Sequence, residues 1–194
     1  MIDTKLRKNF QPIFNKIASI FAKLEIHPDT ITIIALLLGI LASIMIVIDK
    51  TILFLIFLWL SGLMDVIDGT VARMTNKSSK KVAYMDLIFD RMVEASIILG
   101  FYFLLPQNTL AYLLFFVSVL FNFTTFMVAG ALFKNDGPKS MHYDVGIAER
   151  TETFIVFSLL IIFQKYIFII LILFDLIIFM TGIIRFYRIM KYVD

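Results

Sequence analysis

Cysteine is absent from this chain of 194 residues, which excludes disulfides, iron–sulfur ligation and thiol nucleophiles. Also missing is the strict polar–apolar alternation of a barrel strand. Lipid offers no partner for an open strand edge, so helices are left as the spanning element. No internal repeat, low-complexity tract or second domain interrupts residues 1–194, which read as one membrane domain. The N-terminal stretch is charged throughout and has no long apolar core, so it does not read as a signal peptide. No nucleic-acid partner is expected.

What is abundant is apolar surface. The chain is 60% hydrophobic, with a mean hydropathy of +0.92, more than a soluble domain of this length can hide. Six apolar segments, at about 31–48, 52–73, 82–105, 109–133, 152–163 and 166–187, predict an all-α integral membrane protein with six transmembrane helices. The fifth segment is short, with a possible earlier start near Val145. Residues 1–28 read as a juxtamembrane helix that lies in the interface. Leu6, Phe10, Ile13, Phe14, Ile17, Ile20 and Phe21 recur at helical spacing there, with lysines among the remaining positions. Pro28 is expected to break this helix, and Asp29 or Thr30 to cap the next.

The connections at 49–51, 106–108 and 164–165 are tight, whereas 74–81 and 134–150 are longer and polar. Six spans place both termini and both long loops on one side, with fifteen of the eighteen Lys and Arg residues. The positive-inside rule then predicts a multi-pass cell-membrane protein whose termini and long loops are cytoplasmic.

Against this apolar background stand four acids. Asp65 and Asp68 share a face of the second span with Gly69 and Ala72, and Asp86 and Asp90 share a face of the third with Val82 and Glu94. In an antiparallel pair the four carboxylates meet at one level, about 8–14 Å in from the 74–81 loop at about 1.5 Å per residue. Arg73 and Arg91 are too few to neutralise them, and burial of unpaired carboxylates is costly. Divalent cations would compensate: an all-oxygen donor set selects Mg²⁺, Mn²⁺ or Ca²⁺, and two ions sharing carboxylates suit phosphoryl transfer. Gly69 and Ala72 clear space for a bulky ligand, and Arg73 can grip a phosphate. A proton relay, a cation-transport site and structural hydrogen bonding remain open on spacing alone.

At these residues the sequence resembles the CDP-alcohol phosphatidyltransferase family, whose signature is D-x2-D-G-x2-A-R-x8-G-x3-D-x3-D. Residues 65–90 read "DVIDGTVARMTNKSSKKVAYMDLIFD", matching seven of the eight signature positions. The resemblance implies six spans, transfer of a phosphatidyl or archaetidyl group from a CDP-linked lipid to an acceptor hydroxyl, release of CMP, and commonly a homodimer. It implies Asp65, Asp68, Asp86 and Asp90 as ligands of two Mg²⁺ or Mn²⁺ ions, with Ca²⁺ as another occupant. It makes Asp90 the base for the acceptor, and Gly69, Ala72 and Arg73 contacts of the CDP group along with Asp65, Asp68 and Asp86. One position departs: Val82 stands where the signature has its second glycine, so its side chain is expected to crowd the cytosine side.

For the acceptor, Lys134, Arg150 and Arg185 form a candidate basic pocket. The segment Ala148–Arg150 resembles that of family members using inositol phosphate, which favours a small polar, phosphorylated acceptor. Glycerol 3-phosphate would suit the same charges, and serine is a further alternative. A family-like scaffold without turnover and a cation transporter are the readings of another class. His27 and His142 read as loop residues rather than ligands, and Asp175, mid-span in the last segment, is assigned no role.

Overall fold

A computed structural model describes residues 2–77, 79–132 and 150–193, and among these every regular element is helical. Lys134, His142, Val145 and the rest of the long polar loop before Arg150 lie outside the described residues, as does the side chain of Leu6. The chain divides into two compact units.

The first unit, Ile2–Gln107, holds α1 (Ile2–Lys23), α2 (Pro28–Val47), α3 (Thr51–Met74) and α4 (Lys80–Leu104). Pro28 opens α2 rather than ending α1. At the first helical position its missing N–H would have had no partner in any case, and the cap is His27, whose Nδ1 accepts from the Asp29 backbone N–H. Helix α1 lays Ile17, Ala18 and Phe21 on a cluster with Ile31 of α2 and Ile67 and Val71 of α3. Its Phe10, Ile13 and Ile20 stay exposed.

Small residues set how closely α2 and α4 approach, as is usual where lipid supplies no hydrophobic drive between helices. A Cβ on Gly39 would lie 2.5 Å from Val93 Cγ2, and one on Gly100 would lie 2.8 Å from the Ser43 carbonyl oxygen. The Ser43 hydroxyl also donates to the Ser96 carbonyl. Between α2 and α3, Ser61 Oγ donates to the Ala35 carbonyl at 2.7 Å. These pairings run α2 parallel to α4 and antiparallel to α3. Phe54, near the start of α3, and Phe101, near the end of α4, meet edge to face at 6.0 Å.

The second unit, Asn108–Asp194, holds α5 (Thr109–Leu132), α6 (Arg150–Ile162) and α7 (Ile167–Val193). Phe115 of α5 is its hub, with ring centroids 6.1 Å from Phe157 and 6.5 Å from Phe174. Gly182 of α7 admits the Phe121 ring, which a Cβ would meet at 2.7 Å.

Four segments are long and apolar enough to cross a membrane: Pro28–Val47, Thr51–Met74, Pro106–Leu132 and Gln164–Lys191. The protein is therefore a multi-pass membrane protein. Large apolar side chains such as Leu37, Leu113, Leu120 and Leu173 are exposed on these helices, where lipid would cover them. The other two expected spans differ for separate reasons. Helix α4 has the length, at 25 residues, but carries Asp86, Asp90, Arg91 and Glu94. The described part of helix α6, Arg150–Ile162, has 13 residues, about 20 Å of helix against a hydrocarbon core of about 30 Å.

Candidate functional site

The acids are brought together by the turn between α3 and α4. Helix α3 ends because Asn76 adopts a left-handed φ of 54°, a conformation that asparagine tolerates. The Lys77 N–H then reaches back to the Ala72 carbonyl at 2.9 Å. Two residues on, Ser79 Oγ accepts from the Val82 N–H at 3.2 Å and caps α4. So short a reversal sets the two helices antiparallel with their aspartates at equal depth.

One carboxylate oxygen from each of Asp65, Asp68 and Asp86 lies within 4.8 Å of the others. Asp68 is buried, and Asp65 and Asp86 are half-buried. Oxygens on opposite sides of one ion stand about 4–5 Å apart for metal–oxygen distances of about 2.0–2.6 Å, so the spacing of this trio fits a single hard cation. Asp90, one turn further along α4, is outside that trio and half-buried.

The small residues stand where a ligand would need them. Apart from the backbone of its own helix, a Cβ on Gly69 would meet, among the described residues, only the side-chain Nη1 of Arg73, at 3.4 Å, so the backbone there is open to close approach. Arg73 folds back along α3, with Nη2 donating to Thr70 Oγ1 at 3.1 Å. Its charge thus lies beside the Gly69 opening. Ala72 is buried, and so is Val82, which keeps only 8% of its surface. The valine in the glycine position thus lies buried in the first turn of α4.

Several partners around the trio carried no signal in the sequence pattern. Thr32 Oγ1, from α2, donates to Asp68 Oδ2 at 2.5 Å. Lys81 Nζ pairs with Asp29 Oδ2 at 2.6 Å, tying the start of α4 to the start of α2. Arg91, expected to offset the aspartates, pairs with buried Glu94 at 2.7 Å on its own helix. Only the pairing of α2 with α3 and α4 places Thr32 and the Asp29–Lys81 pair, and hydropathy does not encode that pairing.

Of the acceptor candidates, Arg150 opens α6 with its guanidinium 5.4 Å from the centre of the Phe154 ring. Arg185 is buried in α7, donating to the Asn122 carbonyl at 2.9 Å and to Asn122 Oδ1 at 2.8 Å, with Phe126 beneath it.

Residues 25–185 match the profile of the CDP-alcohol phosphatidyltransferase family. The chain is 29% identical over 174 residues to "Inner membrane protein YnjF" of Escherichia coli, covering 86% of this chain and 84% of that protein. It is 29% identical over 161 residues to "Archaetidylinositol phosphate synthase" of Pyrococcus horikoshii, covering 83% and 82%. Among solved structures, Mycobacterium tuberculosis phosphatidylinositol phosphate synthase with CDP-DAG bound shares the fold. Its TM-score is 0.76 at 18% identity, over 91% of this chain and 92% of that one.

Proposed function

This chain belongs to the CDP-alcohol phosphatidyltransferase family of enzymes, and on that premise we propose that it transfers a phosphatidyl or archaetidyl group from a CDP-linked lipid to a phosphorylated acceptor such as inositol phosphate. The observation that carries the proposal is the trio of Asp65, Asp68 and Asp86 oxygens within 4.8 Å of one another, beside the Gly69 opening. The acceptor hydroxyl attacks the lipid-side phosphorus, the bond to CMP breaks, and CMP leaves with its electron pair. Asp65, Asp68 and Asp86, with Asp90, would hold the divalent cations, which would offset the charge of the pyrophosphate and of the departing CMP. Asp90 takes the hydroxyl proton, a task for which it needs only hydrogen-bond reach. Gly69 lets the CDP group reach the helix backbone, with Ala72 and Val82 beside it, and Arg73 grips a phosphate oxygen.

The acceptor assignment draws on the Pyrococcus and Mycobacterium relatives, whose names are those of inositol phosphate lipid synthases. Lys134, Arg150 and Arg185 are the residues assigned to its phosphate. In this reading the chain makes six spans with an interfacial α1, sets its termini and active site on the cytoplasmic side, and forms a homodimer. Its ions are Mg²⁺ or Mn²⁺, two per site, with Ca²⁺ able to occupy them.

The deciding experiment measures CMP release from CDP-diacylglycerol and from its archaeal diether counterpart. Each donor is offered inositol phosphate, glycerol 3-phosphate, serine and inositol, with Mg²⁺ and with chelator. Cation-dependent release with inositol phosphate supports the proposal. Release only with glycerol 3-phosphate or serine reassigns the acceptor, and no release with any acceptor overturns the activity.

A further inference from the structure

We infer that Thr32, outside the family signature, is a positioning residue that orients Asp68 for cation binding; this rests on the reading of Asp65, Asp68 and Asp86 as a cation site. Thr32 is buried in α2, and its hydroxyl lies 2.5 Å from Asp68 Oδ2 and 3.1 Å from the Pro28 carbonyl oxygen. A hydroxyl has one hydrogen to donate, so the two acceptors compete.

The usual outcome for a threonine within a helix is the bond back to the carbonyl four residues earlier. Here the balance tips the other way. A bond from a hydroxyl to a carboxylate is shorter and roughly twice as strong as one between neutral groups, with a characteristic length of about 2.5–2.7 Å. The Pro28 carbonyl is also the helical acceptor of the Thr32 backbone N–H, so it loses little when the hydroxyl turns away. Other threonines of the chain show the contrast: Thr181 Oγ1 donates to the Ile177 carbonyl at 2.8 Å. Thr32 Oγ1 instead couples α2 to a signature aspartate of α3.

The consequence is mechanical. Asp68 is 3% exposed, and its carboxylate has two torsions to fix before an oxygen faces the oxygens of Asp65 and Asp86. The Thr32 hydroxyl, held on a neighbouring helix, fixes them before any ion arrives. Outer partners of this kind orient metal-ligating side chains, and their loss costs about 10–100-fold in metal affinity.

The test titrates Mn²⁺ into the purified full-length protein and reads free Mn²⁺ by electron paramagnetic resonance. Thr32→Val keeps the shape and removes the hydroxyl, so its Mn²⁺ Kd should rise by about 10–100-fold. Thr32→Ser, which restores the donor, should bind close to wild type, and Thr181→Val should leave Kd unchanged. Should the valine form not fold, Thr32→Ala set against Thr32→Ser gives the same comparison. Valine binding as tightly as wild type, or serine losing as much as valine, overturns the role of Thr32 alone. A wild-type protein with no saturable Mn²⁺ binding overturns the cation site itself, and this inference with it.

Discussion

Replacing Gly39 by alanine puts a methyl group into a space that α4 already fills. The added Cβ would sit 2.5 Å and 2.7 Å from the two methyls of Val93 and 3.1 Å from its Cβ. Because the Val93 Cβ itself is too close, no rotamer of that side chain escapes the clash. Carbon atoms pack at about 3.5–4.0 Å, so α2 and α4 must part by about 1 Å. Overpacking of this kind costs about 1–3 kcal/mol, against which alanine recovers about 1 kcal/mol of helix propensity. The single variant therefore gives an ambiguous net change.

A double-mutant cycle removes the ambiguity, since the propensity gain is the same in both backgrounds. With Val93→Ala as the second change, Gly39→Ala should cost about 1–3 kcal/mol less than it does alone. The assay is equilibrium unfolding in mixed micelles followed by circular dichroism, which needs no cysteine label. Because Thr32 and Asp29 stand on α2, the single variant should also weaken Mn²⁺ binding, and the double should recover it. Additive effects on stability would refute the close α2–α4 contact as described.

Other substitutions probe separate parts of the account. Asp90→Asn should fold and bind Mn²⁺ through the three remaining aspartates yet release no CMP; undiminished release would remove Asp90 as the base. Val82→Gly should tighten CDP binding by isothermal titration while costing about 2 kcal/mol of stability through lost apolar burial, and an unchanged affinity discards the crowding argument. Arg150→Ala should raise KM for the phosphorylated acceptor and leave KM for the lipid donor near wild type, whereas equal changes would deny it that specificity. Asp175 is buried in α7 with neither carboxylate oxygen hydrogen-bonded among the described residues. Asp175→Leu should therefore raise the unfolding free energy by about 1–3 kcal/mol, and a loss of stability would contradict that.

Helix positions were legible because lipid imposes length on apolar runs. The segments read at 52–73 and 82–105 become Thr51–Met74 and Lys80–Leu104. The fifth segment, read at 152–163 with a possible start near Val145, has its helix end at Ile162. Capping was less readable, since Pro28 serves equally to stop a helix or to start one, and only the His27 geometry decides. At the site, the i, i+3 spacing of Asp65 and Asp68 and the mirrored spacing across the 74–81 loop placed three acids correctly at one depth. Thr32 and the Asp29–Lys81 pair stayed hidden because they depend on which helix neighbours which. Nothing in a run of apolar residues records that.

The central claim is that Asp65, Asp68 and Asp86 hold a divalent cation between α3 and α4. Anomalous diffraction from crystals grown with Mn²⁺ tests it most directly. The account predicts a peak about 2.0–2.6 Å from one oxygen of each aspartate, weakened in Thr32→Val crystals. A peak elsewhere on the chain, or none between these three side chains at saturating Mn²⁺, would contradict it.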